Sequence, residues 1–301
     1  MERKNASKSK RGIILINAYS NLPSALNQSQ RLKSEFSALG IAVDVVRNGD
    51  FQLYIDDSGK VVNGAADCDF YVYLDKDKYA SALLEKSGMR LFNSHSAVRA
   101  CDDKMTTHAL LAEEGVPMPA VIPGLLRYDG EADVSARRLD YIEKTLGYPV
   151  IVKSSYGSLG KGVYKADDRA QLERLARKLQ FSPHFFQRCI VKSMGRDVRV
   201  IVIGGKVAAA MLRQSEIDFR SNLELGGRGE KFDCPADMAR LCVKTAEILG
   251  LDYCGIDVLL GENGYYVCEV NSNAFFGGIE RVTGVNIARL YAEHICRSIY
   301  G

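Results

Sequence analysis

The sequence has few of the residues that build zinc or disulfide centres. It contains four histidines, none at metal-site spacing, and its eight cysteines form no CxxC pair. Most of these cysteines, such as Cys242 and Cys268, lie inside apolar segments, which is typical of reduced, buried thiols in a cytoplasmic protein. We therefore expect neither a zinc site nor a disulfide framework, and we expect a cytoplasmic location.

Long apolar runs and a general charge excess are also missing. No segment approaches the ~20 apolar residues that cross a membrane, and the early run from Ile13 to Ile16 is too short for a secretory signal. The net charge of +3 comes from residues 1–11, which carry +4, so the rest of the chain sums to −1. We expect this basic tail to be disordered. We expect no nucleic-acid and no membrane partner, whereas a homo-oligomer is compatible with this composition.

Strands and helices alternate along the first part of the chain. Residues 12–93 contain four apolar segments of strand length, separated by helical segments that end at glycines. This alternation predicts a parallel sheet, but no GxGxxG motif follows the first strand, which argues against a dinucleotide site. We assign residues 94–190 to a second unit with a glycine-rich turn and residues 191–301 to a third, strand-rich unit. The predicted fold class is α/β, with α+β character in the C-terminal part.

A glycine-rich turn lies between two predicted strands, at residues 157–162. Gly157, Gly160 and Gly162 allow backbone N–H groups to approach an anion. Lys153, at the end of the preceding strand, can reach a phosphate as a point charge. The segment is not a P-loop, since no Ser or Thr follows its lysine and a strand comes next. We predict a flap over phosphates; a plain glycine-rich hairpin is the alternative.

Three oxygen-bearing side chains near the C-terminal end have the chemistry of a magnesium site. Glu269 and Asn271 share one face of a predicted strand by the period of two. Asp257, on the preceding strand, joins that face only if it pairs opposite Glu269, which requires an odd number of residues in the turn. We predict a three-residue turn, 262–264, with Gly264 in the left-handed conformation. Solvated surface carboxylates are the alternative, but apolar neighbours flank each position, so burial without a partner would be costly.

Two further segments have weaker patterns. The long polar loop 214–231 is a candidate lid over an active site, with an ordinary solvated loop as the alternative. The apolar segment 185–190 can present its backbone to an adenine edge, with a plain core strand as the alternative. Cationic side chains accompany these segments: Lys104, Arg199, Arg213, Arg220 and Arg228.

Taken in order, these features resemble the ATP-grasp superfamily, and within it the RimK-type carboxylate–amine ligases, which include alpha-L-glutamate ligases. The resemblance covers about residues 12–300. Its most specific pieces are Arg99-x-x-x-Asp103-Lys104, Val152-Lys153 with the glycine turn, Asp197-x-Arg199, Asp218-Phe-Arg-Ser-Asn222 with Gly226-Gly227, Gly255-x-Asp257 and Glu269-Val-Asn271. It implies a Rossmann-like domain at 12–93, a central ATP-grasp subdomain with the flap at 94–190, and a C-terminal subdomain with the metal and catalytic residues at 191–301.

The resemblance also implies roles for individual residues. Asp257, Glu269 and Asn271 would bind two Mg²⁺ ions, with Mn²⁺ as an alternative ion. The residues implied to bind ATP are Lys104, Lys153, Gly157, Ser158, Gly160, Gly162, Gln187, Arg188, Cys189, Ile190, Asp197, Arg199, Arg220, Ser221 and Asn222. Among them, Asp197 would contact the ribose. Arg213, Lys153 and Arg220 would be the catalytic residues, and Arg213 would stabilise an acyl phosphate.

The implied reaction transfers the γ-phosphoryl group of ATP to a carboxylate and then joins the acyl group to an amine, with release of ADP and phosphate. Positioning and charge neutralisation would carry the catalysis. The implied substrates are a small carboxylate and an amine, in the first place an amino acid, with a peptide or carrier protein as an alternative acceptor. A small-molecule kinase and a non-catalytic nucleotide-binding module stay open. The chain departs from the family pattern at Glu224-Leu225 and at 272–276, so the identity of the carboxylate and of the amine is not implied.

Overall fold

The computed structural model describes residues 10–130, 133–158, 160–221 and 226–301. These residues form three larger sheets and one two-stranded sheet. Most of the predicted basic tail lies outside the described residues, and Arg11, which we had assigned to that tail, begins the first strand. Among the described helices, none combines the length and apolar character that crossing a membrane requires.

The first sheet confirms the predicted parallel arrangement over residues 12–93. Its part of the chain contains β1 (Arg11–Ile16), α1 (Pro23–Ala38), β2 (Ala42–Arg47), β3 (Leu53–Ile55), β4 (Val61–Asn63), β5 (Phe70–Leu74), α2 (Lys78–Lys86) and β6 (Leu91–Phe92). The strand order is β2-β1-β5-β6, and all three pairings are parallel. The small antiparallel hairpin β3-β4 was not predicted. The C-terminal ends of these parallel strands therefore lie along one edge of the sheet, and α1 follows β1 at that edge.

The second sheet is antiparallel and carries the glycine-rich turn. The elements of this part are α3 (His95–Asp102), α4 (Lys104–Leu111), β7 (Val121–Pro123), α5 (Ala136–Leu146), β8 (Val150–Ser154), β9 (Val163–Ala166), α6 (Arg169–Leu179) and β10 (His184–Arg188), with strand order β7-β10-β8-β9. The predicted helix near 103–114 begins at Lys104, because the Asp103 carboxylate accepts from the amides of Met105 and Thr106 as its N-cap. The helix α3 in front of it was not predicted.

The third sheet is antiparallel, with strand order β13-β12-β11-β14-β15. Its part of the chain contains β11 (Arg196–Ile203), β12 (Lys206–Gln214), β13 (Arg228–Lys231), α7 (Ala236–Ile248), β14 (Tyr253–Leu260), β15 (Tyr265–Asn271), α8 (Gly277–Thr283) and α9 (Ile287–Tyr300). Gly204 and Gly205 form the predicted two-residue turn between β11 and β12, with φ of 53° and 72°. The final helix was predicted from Asn286, whose side chain caps it.

The turn between β14 and β15 differs from the prediction. The last pair of the ladder is Leu260 with Tyr265, so four residues separate the two strands. The predicted three-residue turn is therefore wrong. The longer turn is closed by the amide of Gly261, which donates to the carbonyl of Gly264 at 2.8 Å. Gly264 does take a positive φ, of 142°.

A β-bulge restores the register that the turn alone would have lost. Val258 pairs with Val267, but the next residue, Asp257, pairs with Glu269, so Cys268 has no partner on β14. Such a bulge places two residues of one strand against one residue of the other. Asp257 and Glu269 are therefore opposite each other because Cys268 supplies the odd residue that we had assigned to the turn.

The hydrophobic cores join segments that are distant in sequence. One core packs Phe36 and Phe70 of the first part against Tyr253 and Tyr291 of the third. A second core includes residues 97–116, which cover α3 and α4, together with the third sheet. The second sheet has a core of its own. The helices α3 and α4 thus pack on the third sheet, and the domain boundaries at 93 and 190 stay a prediction.

Candidate active site

Segments of all three larger sheets line a cavity of about 690 Å³. The first sheet contributes the ends of β1 and β5 and the start of α1, the second contributes β8 and β10, and the third contributes β11, β12, β14 and β15. The predicted site residues on its wall are Lys153, Ser158, Gly160, Gln187, Arg188, Cys189, Ile190, Asp197, Arg199, Arg213, Arg220, Ser221, Asp257, Glu269 and Asn271. Residues spread over more than half of the chain therefore meet at one place.

Some predicted residues lie elsewhere. Gly157 and Gly162 belong to the turn next to the cavity, and Asn222 lies outside the described residues. Lys104 is buried, and its Nζ donates to the carbonyl of Gly157 at 2.7 Å and lies 3.8 Å from Glu269 Oε1. Burial lowers the pKa of Lys104, and the charge of Glu269 opposes this effect. Lys104 thus connects the glycine turn to a predicted metal ligand.

Two arginines hold the carboxylate of Asp257. Arg199 stands opposite Asp257 in the ladder and donates to both of its oxygens, through Nε to Oδ1 and through Nη2 to Oδ2 at 2.9 Å. Arg213 Nη2 lies 2.9 Å from Asp257 Oδ1. Burial alone would raise the pKa of Asp257, but the two guanidinium groups lower it to about 2. The two arginines therefore favour the ionised form of Asp257.

Arg213 is fixed in turn by Asp197, its cross-strand partner. Its Nε and Nη2 each donate to one oxygen of Asp197 at 2.7 Å. Burial would lower the pKa of Arg213, but the carboxylates of Asp257 and Asp197 raise it. Asp197, which was predicted to contact a ribose, uses both oxygens for this pair. The four side chains form one buried network, and a bidentate arginine pair of this kind has little freedom to reorient.

Gly255 of the Gly255-x-Asp257 motif is explained by packing around this network. A Cβ at Gly255 would lie 2.5 Å from the Cβ of Ala274 and 3.1 Å from Cδ of Arg199. Any side chain there would therefore push Arg199 away from Asp257. The glycine keeps the strand close to both neighbours.

The glycine turn and the polar loop contact each other beside the cavity. Arg220 donates through Nη1 to the carbonyl of Gly160 at 2.7 Å and through Nη2 to Asp218 at 2.7 Å. The hydrogen bond between Arg220 and Asp218 lowers the pKa of Asp218 and raises that of Arg220. In the turn, Gly162 has a φ of 75°, and a Cβ there would lie 2.8 Å from Oγ of Ser154. Glycine is thus required at that position.

The donors on the wall fit magnesium and a polyphosphate. Asp257, Glu269 and Asn271 offer oxygen ligands, which Mg²⁺ prefers. Lys153 Nζ lies 3.4 Å from Cys268 Sγ on the same wall. Cations outnumber carboxylates there: Lys76, Lys153, Arg188, Arg196, Arg199, Arg213, Arg220 and Arg281 stand against Asp75, Asp197, Asp257 and Glu269. Such an excess of positive charge favours anionic ligands.

Four polar or small residues of the wall were not identified from the sequence, namely Asn27 and Gln28 on α1 and Gly277 and Arg281 on α8. These residues belong to no motif, and α8 itself was not predicted. A signal was nevertheless present, since apolar residues at helical spacing lead up to a glycine stop at Gly284, which has a φ of 74°.

This fold is that of the ATP-grasp ligases. The ATP-grasp ligase PsnB, solved with a minimal precursor, superposes with a TM-score of 0.72 at 21% identity, covering 96% of this chain and 99% of that one. D-alanine–D-alanine ligase from Bacillus anthracis gives a TM-score of 0.72 at 17% identity, covering 95% and 96%. The ATP-grasp fold predicted from the sequence is confirmed, while a Rossmann-like first domain stays a prediction.

Within this class, the chain belongs to the family of the RimK-like ATP-grasp domain, whose model matches residues 101–295. Human N-acetylaspartylglutamate synthase A is 36% identical over 74% of this chain and 56% of its own length. Human beta-citrylglutamate synthase B is 36% identical over 74% and 57%. A probable alpha-L-glutamate ligase of Halorhodospira halophila is 35% identical over 73% and 72%. The chain spans a little more than half the length of the two human synthases.

Proposed function

We propose that the protein is an ATP-dependent carboxylate–amine ligase, which joins a carboxylate to an amino acid through an acyl phosphate and releases ADP and phosphate. One observation carries this proposal: Lys153 and Arg220 share a cavity wall with the oxygen ligands Asp257, Glu269 and Asn271. Membership of the RimK-like family supports it, because the relatives bear the names of ligases and synthases.

We further propose that Asp257, Glu269 and Asn271 hold two magnesium ions, with manganese as an alternative. Bound there, the metal supplies charge neutralisation on the phosphates of ATP. PsnB, which has the same fold, was solved with Mg and ADP, and this supports the binding of a metal ion together with a nucleotide. The arginines Arg199 and Arg213 favour the ionised form of Asp257, and a metal ion would share the oxygens of this carboxylate with them.

The other residues of the cavity would orient the reactants. Lys153 would contact a phosphate as a point charge, and Arg220 would approach from the polar loop beside the glycine turn. The backbone of 187–190, at the end of β10, would bind the adenine edge. Arg213 would face the reacting carboxylate, and since Asp197 already fixes its direction, little reorganisation is needed as charge develops. A ribose contact by Asp197 stays a prediction.

L-Glutamate is the first candidate for the amine substrate, because several relatives are named after glutamate. A peptide acceptor is the alternative, as in the complex of PsnB with its precursor peptide.

A cytoplasmic location is proposed because all eight cysteines are free thiols, and oxidising compartments tend to pair cysteines as disulfides.

The test is a screen of amino acids and small carboxylates for ATP-dependent phosphate release, followed by mass spectrometry of the product. A ligase yields ADP and free phosphate together with an amide. A kinase would instead yield ADP and a phosphorylated product without free phosphate. Nucleotide binding without turnover in every mixture would contradict the ligase and favour a nucleotide-binding module.

A further inference from the structure

At the end of the cavity next to α1 and α8, the wall includes the guanidinium group of Arg281. Arg281 of α8 lies on the wall and is exposed. Within the described residues its guanidinium group has neither an ion pair nor a hydrogen bond. The neighbouring carboxylate does not neutralise it, because Glu280 lies 3.6 Å from Arg31 and accepts from the amide of Ala288. Arg281 is therefore available to an anion in the cavity.

A second donor lies at the same place. The point that a Cβ of Gly277 would occupy is 3.7 Å from Arg281 Nη1 and 3.8 Å from Asn27 Nδ2. One nitrogen from α1 and one from α8 thus lie near the same point beside Gly277. A carboxylate has two oxygens and can accept from both donors at once.

The surroundings make this position selective. Leu26, Phe276 and Ile279 lie on the same stretch of wall, so the site is partly apolar. Charges interact more strongly near an apolar surface than in bulk water. The other cation contributed from this side, Lys76, already lies 3.5 Å from Asp102. An anionic group entering here would therefore pair with Arg281.

We propose that Arg281, together with Asn27, binds a carboxylate of the substrate that does not react, and that this contact selects an acidic amino acid. The inference rests on the proposed ligase function only in the choice of an amino acid as the substrate. Arg281 is then a specificity-determining residue, and Gly277 keeps its site open.

The test compares the binding of three probes by isothermal titration calorimetry. L-Glutamate is compared with L-glutamine and L-isoglutamine, in each of which one carboxylate is replaced by an amide. The wild-type protein should bind L-glutamate about 10- to 100-fold more tightly than one of the two amides, the range expected for a charge-assisted hydrogen bond. Arg281→Met should remove this preference, and Arg281→Lys should keep part of it, since lysine retains the charge without the planar fork.

Two further variants separate charge from folding. Arg297→Met removes an exposed arginine of α9 whose side chain is 70% accessible and lies outside the cavity wall, so the preference should be unchanged. Gly277→Ala adds a methyl group between the two donors and removes no charge. Its fold should be at least as stable, because alanine favours a helix, yet its affinity for L-glutamate should fall several-fold.

Three results would overturn the proposal: no binding of L-glutamate, no preference in the wild-type protein, or the same preference in Arg281→Met. The phosphate-release screen reports on the ligase function independently. Turnover of an uncharged amino acid that Arg281→Met leaves unchanged would sustain the ligase and overturn the role of Arg281. Glutamate binding that depends on Arg281, without phosphate release in any mixture, would do the reverse.

Discussion

The two ends of the cavity hold their charges in different ways. Beside β11 and β14, Arg199 and Arg213 are held in place by Asp257 and Asp197. Beside α1 and α8, Arg281 is exposed and has no partner among the described residues. Under the proposed function, the first end would serve a step that is the same for every substrate, and a geometry fixed in advance suits such a step. At the second end, the ligand itself would complete the pairing, and specificity would arise there.

The largest expected effect is a loss of activity, and it concerns the end of the cavity beside β11 and β14. Glu269→Gln removes a proposed metal ligand and should lower ATP-dependent phosphate release by about 10²–10³-fold or more, the loss typical of an essential electrostatic contact. The thermal midpoint should fall as well, because the buried Lys104 loses its charged partner, so phosphate release is compared at a temperature at which both proteins are folded. Glu293→Gln, on α9 and outside the cavity wall, is the control. Unchanged phosphate release in Glu269→Gln would contradict the metal assignment.

The second effect concerns stability at the fixed end. Among the described residues, Asp257→Ala leaves the buried Arg213 with a single carboxylate partner and Arg199 with none. It should cost about 3–5 kcal/mol of unfolding free energy. The matched variant is Asp218→Ala, which removes the partner of Arg220 where both side chains are about a quarter exposed. It should cost below about 1 kcal/mol. Urea denaturation measures both, and equal losses would show that the network around Asp257 is not special.

The smallest effect lies in the second sheet, away from both ends. Burial of the His184 ring, together with the charge of Arg138, lowers its pKa despite the carbonyl of Ser182, which opposes the shift. The unfolded chain therefore binds the proton more tightly, and stability should fall as pH drops below about 6.5, the value of a free histidine. His184→Gln should flatten this part of the curve of unfolding free energy against pH. A curve with the same slope in both proteins would rule out His184 as the cause.

The sequence correctly placed Asp257, Glu269 and Asn271 together, but the bulge beside them was missed. Val267 and Val270 are both buried in the same core, although they are three residues apart. A regular strand places such residues on opposite faces, so their spacing requires an extra residue between them. The sequence shows that both residues are apolar, and the structure shows that they share one core. A three-residue turn would have given the same register, but the packing of the core places the extra residue in the strand instead.

Other features had no local signal. The pair of Asp197 with Arg213 depends on the register of β11 with β12, which itself shifts between Ile201 and Val202. Asn27 and Arg281 are far apart in the sequence, and they come together only because α1 packs against α8. The motifs therefore contained most of the predicted site residues that line the cavity, whereas the wall beside α1 and α8 required the tertiary fold.

The bulge at Cys268 lies between the exposed tip of its hairpin and the carboxylates of Asp257 and Glu269. Three ladder pairs, Val258–Val267 to Leu260–Tyr265, lie between the tip and the pair Asp257–Glu269. Glu262 and Asn263 are both exposed at the tip. A short tag for a fluorescent dye inserted between them should therefore give a reporter that leaves these pairs, and with them the two carboxylates, in place.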